Sequence, residues 1–549
     1  MTASNRLDRY AEIARVLSRN GFGALAGGLG LGRWISPADS ARAEKRNPSA
    51  ERLRMALEEL GPTFIKVGQL LSTRADLLPP DYIAELSKLQ SSAPPVASAV
   101  VMTVIESELG APTSELFAEF TEEPLASASI GQAHAAVLKD GTRVVVKVRR
   151  PGAVAQVNED LEILSNLAGQ ATARWDLAAD YDLVGLIDQF SVTIRAELDY
   201  LTEARNAERF AENFRDSRIH IPRVFRETTT SRVLTLERIT GVRVDDLPAL
   251  DEAGVDRSEV IALAVDAICQ MVFVDGFFHA DPHPGNLFIE TDGRIGLIDF
   301  GMVGSIDEKM RDHLVSLFSA LLQGDPDHIA SAVLTVASSS AHVNRPQLRR
   351  DFAHFMTLYS GKELAELEIG AMVAELLGVL RRHRLQLDPQ LVLLLRMLSM
   401  IEGMGVRLDP TFRLSIALEP YATRFAAERF SPRALVHRAS EIGRQLAALG
   451  VELPQKLRML SDSIGPDGIE IQVRAEGLDP IMGRVEKIGN RLVVAMIASA
   501  LIRGIGEFTV SGDSRWRAWS EPLMRLGIGS LGALSAYLAV SARHRRNQR

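Results

Sequence analysis

Asp281 and Asn286 stand five residues apart in the run Phe-His-Ala-Asp-Pro-His-Pro-Gly-Asn, and another acid, Asp299, then opens the step Asp-Phe-Gly. Carboxylate and amide oxygens suit a hard cation such as Mg²⁺, which keeps several of its waters. Phosphoryl-transfer enzymes use an aspartate at this spacing to orient the acceptor hydroxyl, and the asparagine and the later aspartate to bind magnesium. The pattern predicts a catalytic Asp281, a Mg²⁺ site at Asn286 and Asp299, and ATP as the nucleotide.

Lys147 closes a run of three valines that has the composition of a strand. A strand lysine alone is usually a solvated surface residue. Beside the acids above, it is typical of the lysine that holds the α- and β-phosphates and pairs with a helix glutamate. Glu197 and Glu203 are the candidate partners, and Glu203 is favoured. Glu237, in a strand predicted over residues 232–238, is a further candidate nucleotide contact.

A loop of small residues precedes Lys147, where a glycine-rich loop would cover the phosphates. Most of its small residues are alanine and serine, and alanine lacks the freedom of glycine to adopt positive φ. Backbone N–H groups can still meet phosphate there, in a stiffer geometry. The predicted nucleotide-binding residues of this loop are Ala126, Ser127, Ala128, Ser129, Ile130, Gly131 and Gln132.

Two histidines, His279 and His283, flank the candidate catalytic aspartate. Together with Asp281 they form a His-x-Asp-x-His pattern that zinc could use, but the sequence offers no evident fourth ligand. We interpret His279 as a structural residue that orients the catalytic loop.

The elements that must position these residues change character along the chain. Strand-type runs occupy residues 133–138 and 142–148 around Asp140-Gly141, and residues 287–289 and 295–298 around Asp292-Gly293. Helical periodicity is predicted over residues 50–89 (broken at Gly61-Pro62), 158–174, 181–214, 256–274 and 307–460. The fold class is therefore α+β, with a small strand-rich lobe before a larger helical lobe.

Composition excludes several classes of protein. The 549 residues carry a formal net charge of −8, whereas a general nucleic-acid coat would be basic, so no nucleic acid is expected as a partner. The single cysteine, Cys269, excludes an intrachain disulfide and a cysteine-based zinc site, and its apolar neighbours predict a buried structural thiol. The first 20 residues mix acids and bases and predict no secretory signal. The glycine-rich stretch 21–32 reads as a linker or a weakly surface-seeking segment.

The C-terminal region has two uncharged stretches, residues 492–502 and 526–542, with basic residues outside them. The second is at the short edge of a transmembrane helix. Because the flanking charges lie on the same side, the pair is predicted to form a membrane-associated hairpin with both ends cytoplasmic. The alternative is a pair of interfacial or packed helices.

Four motifs together resemble the UbiB family of atypical kinases, also called AarF- or ADCK-like. Residues 66–69 (Lys-Val-Gly-Gln) resemble its KxGQ motif, and residues 126–134 resemble its alanine-rich loop. Residues 197–200 (Glu-Leu-Asp-Tyr), followed by Glu-Ala-Arg-Asn at 203–206, resemble its ExD motif, and residues 279–286 its catalytic loop. The resemblance covers roughly residues 50–410, with Ser127 and Ser129 as departures from the usual run of alanines.

The resemblance implies a protein-kinase-like bilobal fold with an N-terminal helical extension, a large helical C-lobe and apolar C-terminal helices. It implies that Lys66 faces Glu197 and Asp199 inside the active site, where the extension covers the place of a protein substrate. ATP hydrolysis, or phosphorylation of a lipid or other small molecule, is then expected instead of protein kinase activity. It also implies a role in ubiquinone or other isoprenoid-lipid metabolism, at the cytoplasmic face of a bacterial inner or plasma membrane, alongside lipid-biosynthesis enzymes.

Two other functions fit the same residues less well. One is a nucleotide-binding pseudokinase scaffold for a lipid-biosynthetic complex, and the other is a small-molecule phosphotransferase of the aminoglycoside or choline type. The intact metal and phosphate residues disfavour the first, and the extension disfavours the second. The predicted organisation is a helical or linker segment (1–49), the KxGQ extension (50–95), an N-lobe (96–240), a C-lobe (241–410), a helical tail (411–489) and the hairpin (490–549).

Overall fold

The computed structural model describes residues 3–34, 49–89, 94–175, 178, 181–323, 325–338, 343–359, 366, 368–418 and 420–421. They lie in the first of two units into which the chain divides, Met1–Val436. Almost all of the predicted helical tail and the whole predicted membrane hairpin lie outside the described residues. Among the described helices, none is both long and apolar enough to cross a membrane.

The described strands are short except in one antiparallel sheet. In chain order they are β1 (Phe117–Ser127), β2 (Gly131–Leu138), β3 (Arg143–Arg149), β4 (Ile219–His220), β5 (Val233–Glu237), β6 (Val242–Arg243), β7 (Phe277–His279), β8 (Leu287–Ile289), β9 (Ile295–Leu297), β10 (Val303–Ser305), β11 (Ala337–Ser338) and β12 (Gln386–Leu387). Their sheet orders are β1-β2-β3-β5, β4-β9-β8-β6, β7-β10 and β11-β12.

The described helices fall into an N-terminal group, a middle group and a C-terminal group. In chain order they are α1 (Ala3–Leu17), α2 (Gly23–Gly28), α3 (Ala50–Leu60), α4 (Pro62–Thr73), α5 (Pro80–Leu86), α6 (Ser98–Leu109), α7 (Thr113–Leu116), α8 (Ala153–Thr172), α9 (Leu183–Glu197), α10 (Tyr200–Asn213), α11 (Leu247–Glu252), α12 (Arg257–Cys269), α13 (Glu308–Gln323), α14 (Pro326–Val336), α15 (Arg345–Tyr359), α16 (Ile369–Arg382) and α17 (Pro389–Leu408).

The N-terminal helices pack into a core of their own. Gly61, at φ +95°, turns the chain between α3 and α4, and Pro62 starts α4 at a position where a missing N–H costs nothing. The stretch 21–32 was predicted to be a linker or a weakly surface-seeking segment. It is largely helical, because a π-helical segment (Ser18–Phe22) continues into α2. Its Ala26 is fully buried in the same apolar cluster as α1, α3 and α4. The apolar residues between its glycines have a packing partner that the local sequence does not reveal.

The four-stranded sheet forms the core of the small lobe. Along β3 the burial alternates, so that Val144, Val146 and Val148 are buried while the side chains between them are not. This is the period-two pattern of a strand with one face on the core. Those valines pack with Val101 and Ile105 of α6. Lys147 therefore lies on the opposite face of the sheet.

The predicted helical stretch 181–214 is two helices, not one. The backbone leaves the helical region at Asp199, where φ is −107° and ψ is 98°. The Asp199 carboxylate accepts the Leu201 amide and caps the new helix, α10. The break re-aims α10 relative to α9, so residues on the two helices do not follow one helical face.

The large lobe surrounds an extensive apolar core that includes α12, α16, α17 and the short strands β7, β8 and β9. Cys269, at the end of α12, is buried in it. Burial raises the pKa of this thiol to about 12, so it is a structural thiol at neutral pH.

Candidate active site

Lys147 joins three elements of the site through its ammonium group. Its Nζ is 2.5 Å from Oε1 of Glu203 and 3.8 Å from Oδ1 of Asp299. Glu203 is in the first turn of α10 and is buried, whereas Glu197, at the end of α9, does not pair with Lys147. The small-lobe sheet, α10 and the Asp-Phe-Gly segment therefore meet at this lysine.

The charges at this junction are fixed by their neighbours. Burial opposes a charge on Lys147, but the carboxylates of Glu203 and Asp299 outweigh it and raise the lysine pKa. The Lys147 ammonium in turn lowers the pKa of Asp299 to about 2, against the effect of burial. At neutral pH the Asp299 carboxylate is therefore ionised, as a metal ligand must be, and it lies beside the charged Lys147.

His279 orients the catalytic loop from the end of β7. Its Nε2–H donates to the backbone carbonyl of Asp299, and its Nδ1 accepts the Asp281 amide at 3.3 Å. Burial lowers the His279 pKa, so the ring is neutral with its proton on Nε2. The Nδ1 of His283 accepts the amide of Gly285, at 3.1 Å. Among the described residues no three His, Cys, Asp or Glu side chains are grouped to hold a metal ion.

Asn286 is fixed at the start of the β8–β9 hairpin. Its Nδ2 is 3.4 Å from the backbone carbonyl of Asp281, and its own carbonyl accepts the amide of Ile298 at 3.2 Å. The second bond places Asn286 against the residue before Asp299. Hairpin pairing is thus the local reason why two candidate metal ligands that are separated in sequence come to the same place.

Two contacts at the site involve residues for which no role was predicted from the sequence. Arg396, on α17, lies 3.3 Å from Oδ1 of Asp281, although 115 residues separate them. The Asn206 side chain donates to the carbonyl of Phe300 at 2.9 Å and holds the Asp-Phe-Gly segment. Asn206 belongs to the motif at 203–206, which could have indicated it. Nothing in the sequence around Arg396 indicated a role for it at the site.

The extension reaches the site through Lys66 of α4. Its Nζ is 2.5 Å from Oε2 of Glu197, and both side chains are largely buried. Burial opposes the charge, but Glu197, Asp299 and Asp281 together raise the Lys66 pKa. An ammonium group supplied by the extension therefore acts electrostatically on the two aspartates of the site.

Gln69 of the KxGQ motif and Asp199 of the ExD motif make contacts that stabilise the local fold. Gln69 donates to the carbonyl of Leu89 at 3.0 Å, which ties α4 to the segment after α5. The Asp199 carboxylate caps α10, whereas the resemblance implies that it faces Lys66. Of the residues with described positions, Glu197 is the one that forms an ion pair with Lys66.

The alanine-rich loop is the tight turn between β1 and β2. The amide of Ala128 donates to the carbonyl of Gly131 at 2.8 Å and closes it. Gly131 has no room for a Cβ, because the hydroxyl of Tyr200 and the carbonyl oxygen of Val148 fill that space. Tyr200 opens α10, so the turn rests on the helix that carries the partner of Lys147.

The remaining candidate, Glu237, ends β5 at the connection between the lobes. Its carboxylate accepts the Arg223 amide at 3.2 Å and lies 3.4 Å from Nε2 of His220. His220 also contacts Glu290 at 2.9 Å. The Glu237 side chain is therefore engaged with Arg223 and His220, and a nucleotide contact at Glu237 stays a prediction.

The residues present fit a magnesium nucleotide. Asn286 and Asp299 supply oxygen donors of the kind that Mg²⁺ takes, and Lys147 supplies a fixed positive charge for phosphate. The Ser129 hydroxyl in the alanine-rich loop is buried and has no hydrogen-bond partner among the residues that the structure describes. A buried hydroxyl without a partner is costly, and a phosphate oxygen would satisfy it.

The chain is similar to several known proteins. The profile of the ABC1 atypical kinase-like domain matches residues 88–333, and that of the UbiB helical domain matches residues 352–413. A probable protein kinase UbiB from Xylella fastidiosa (strain M23) is 32% identical over 97% of this chain and 99% of its own. One from Marinobacter nauticus is 33% identical over 88% of this chain and 85% of its own. The chain is also similar, at 25% identity and a TM-score of 0.43, to the solved Rv3197–erythromycin complex from Mycobacterium tuberculosis, over 67% of this chain and 94% of that one.

Proposed function

Because this chain belongs to the UbiB family of atypical kinases, with an ABC1 kinase-like domain and a UbiB helical domain, we propose that it is a Mg²⁺-dependent ATP-using enzyme. The reaction is hydrolysis of ATP, or transfer of its γ-phosphoryl group to a lipid or other small molecule. The observation that carries the proposal is the junction of Lys147, Glu203 and Asp299, with Asp281 and Asn286 alongside.

Each side chain has a task in this proposal. Bound Mg²⁺ would offset the charge of the phosphates, and Asn286 and Asp299 would hold it. Lys147, kept protonated by its neighbours, binds phosphate oxygens. Asp281 orients the hydroxyl or water that attacks, and its contact with Arg396 fixes the direction of its carboxylate.

The extension supports a small acceptor. Lys66 lies at the site in an ion pair with Glu197, so α4 covers part of the surface that a polypeptide substrate would need. A lipid or another small molecule requires less of that surface. The link to ubiquinone or other isoprenoid-lipid metabolism at a membrane rests on the family resemblance, and lipid-biosynthesis enzymes are the partners it favours.

A nucleotide-binding scaffold without turnover is the second candidate. It is favoured by one observation: Arg396 lies 3.3 Å from Oδ1 of Asp281, a contact that would restrain a catalytic aspartate. The first proposal predicts turnover, and the second predicts binding alone.

The experiment is a steady-state Mg²⁺-ATPase assay on the full chain, with and without anionic liposomes. Asp299→Asn should abolish turnover, because it removes a charged metal ligand. Asp292→Asn is the matched control, since Asp292 is an exposed aspartate in the turn of the β8–β9 hairpin. Turnover that Asp299→Asn abolishes and lipid stimulates supports a membrane-acting enzyme. Tight nucleotide binding without turnover above that of Asp299→Asn, with or without lipid, overturns the enzyme and leaves the scaffold.

A further inference from the structure

One arginine connects the alanine-rich loop to the chain that arrives from the extension. The guanidinium of Arg150 donates through Nε to the carbonyl of Ala128 at 2.9 Å and through Nη2 to the hydroxyl of Ser127 at 2.8 Å. The same Nη2 donates to the carbonyl of Pro94 at 2.7 Å. Pro94 opens residues 94–97, here called the tether, which lead into α6.

A second side chain fixes the same tether. Gln132, in β2 directly after the turn, accepts the Val96 amide at 2.8 Å and donates to the Val96 carbonyl at 3.3 Å. Its Nε2 also lies 2.8 Å from Nε2 of the buried His134, whose Nδ1 is 2.9 Å from the carbonyl of Thr121. The tether is therefore held at two points, at Pro94 by Arg150 and at Val96 by Gln132.

Arginine suits this position because its planar group presents donors in a fixed fork. The backbone of the loop is also tied to Arg150, whose amide donates to the carbonyl of Ile130 at 2.9 Å. A loop rich in glycine would settle around phosphate by changing its φ angles. This loop has few glycines, so its shape depends on outside contacts.

We propose that Arg150 is a positioning residue for the nucleotide loop, which holds the loop in its phosphate-binding shape and couples it to the tether. A shift of the loop on nucleotide binding would then alter the backbone contacts of Pro94 and Val96. The inference rests on the proposed function, since it requires that the loop meets the nucleotide.

The test measures binding of a fluorescent ATP analogue with Mg²⁺ to the full chain, and deuterium uptake at the Val96 amide. Arg150→Ala should weaken binding about tenfold, the effect of losing one charge-assisted hydrogen bond that orders the loop. It should also raise uptake at Val96 and abolish the change in uptake that saturating nucleotide causes in the wild-type chain. Arg150→Lys, which keeps the charge without the fork, should fall between the two.

Two further variants separate the possible failures. Arg143→Ala replaces an exposed arginine at the start of β3, the strand that ends just before Arg150, and should leave both measurements unchanged. Lys147→Ala should weaken nucleotide binding whether or not the tether is coupled. If Lys147→Ala weakens binding while Arg150→Ala changes it less than twofold and leaves the Val96 response intact, this inference is overturned. If the analogue binds all the variants and the wild-type chain equally, the proposed function fails instead.

Discussion

The charge state of each key side chain here depends on its contacts. Lys147 stays protonated because Glu203 and Asp299 outweigh the cost of burial, and Asp299 stays ionised because Lys147 is beside it. His279 and His134 are the reverse case, since burial lowers the pKa of each ring and keeps it neutral. One side-chain contact and one of these pKa shifts each lead to a prediction at the residue scale.

The first concerns Arg396 and Asp281. Arg396→Ala should lower the turnover number about tenfold to a hundredfold, because a misaligned catalytic group loses most of its orientation benefit. Nucleotide affinity should change little, because Arg396 contacts Asp281 and not the candidate phosphate ligands. Steady-state ATPase kinetics and analogue binding measure the two effects. Arg407→Ala, an exposed arginine on the same helix, is the control, and equal losses in both variants would refute the role of Arg396.

The second concerns the pH dependence of stability at His134. Burial lowers its folded-state pKa below the unfolded value of about 6.5, so as pH falls through that value the unfolded state binds a proton that the folded state does not. The stability contribution is complete above about pH 6.5 and declines below it, by at most about 1.4 kcal/mol per pH unit. His134→Phe, which keeps the stacking on Phe120, should flatten this decline in urea unfolding between pH 8 and pH 5. Parallel curves for the two proteins would contradict the prediction.

At the scale of elements, the N-terminal helix α1 packs against the extension and helps to hold it in place. Arg9 of α1 binds both carboxylate oxygens of the buried Asp160 on α8, at 2.8 and 3.1 Å. It also donates to the carbonyl of Leu60 at 2.7 Å and lies over the ring of Phe64 on α4. One side chain therefore fixes α1, the α3–α4 corner and α8 together, and α4 is the helix that carries Lys66.

Removing Arg9 should destabilise the chain strongly. Arg9→Ala leaves Asp160 buried without its cation, which typically costs about 3–5 kcal/mol. Arg6→Ala on the same helix breaks an exposed pair with Glu162 and should cost less than about 1 kcal/mol. Urea unfolding gives both values. The double variant Arg9→Ala, Asp160→Asn should recover part of the loss, because no buried charge remains. A cost for Arg9→Ala no larger than that for Arg6→Ala would show that α1 is not held in this way.

At the scale of the whole described unit, the extension spans both lobes. Beyond α4, the buried Asp76 binds Arg74 at 2.7 and 2.9 Å and accepts the amide of Leu387, in β12, at 3.3 Å. Arg381 of α16 donates to the carbonyls of Ala75 and Leu78 at 2.9 and 3.1 Å. The segment that follows α4 is thus held against the UbiB helical domain. The position of α4 at the candidate site depends on this attachment and on the one that Arg9 makes to α8.

Breaking the far attachment should loosen the extension. Arg381→Ala should raise deuterium uptake across residues 74–78, because the Arg381 guanidinium bridges two of their carbonyls. It should also raise basal ATPase activity severalfold, if α4 limits access to the site as proposed. Arg382→Ala, at the next and more exposed position of the same helix, is the control for both measurements. Unchanged uptake in Arg381→Ala would place the restraint of the extension elsewhere.

The local sequence was sufficient to single out the candidate site residues whose pattern depends on spacing. Asp281, Asn286, Asp299 and Lys147 are identifiable by residue type and separation, because each lies on a hairpin or loop whose geometry is set by its own residues. The strands β2, β3, β8 and β9 were predicted within two residues of their observed bounds for the same reason. Periodicity also predicted helix over residues 50–89 with a break at Gly61-Pro62, which is where α3 ends and α4 begins.

Only the tertiary structure decided which residues meet across the chain. The sequence favoured Glu203 as the partner of Lys147 without deciding it. The structure pairs Lys147 with Glu203 and Lys66 with Glu197, because the break before α10 directs two glutamates six residues apart into different surroundings. It also brought Arg396 to Asp281 and packed residues 21–32 into a core. A short-range pattern records the neighbours of a residue in sequence, whereas these three ion pairs join positions that are 56 to 131 residues apart, through the packing of whole elements. The sequence therefore determined the chemistry available to this protein, and the fold decided which charges share a site.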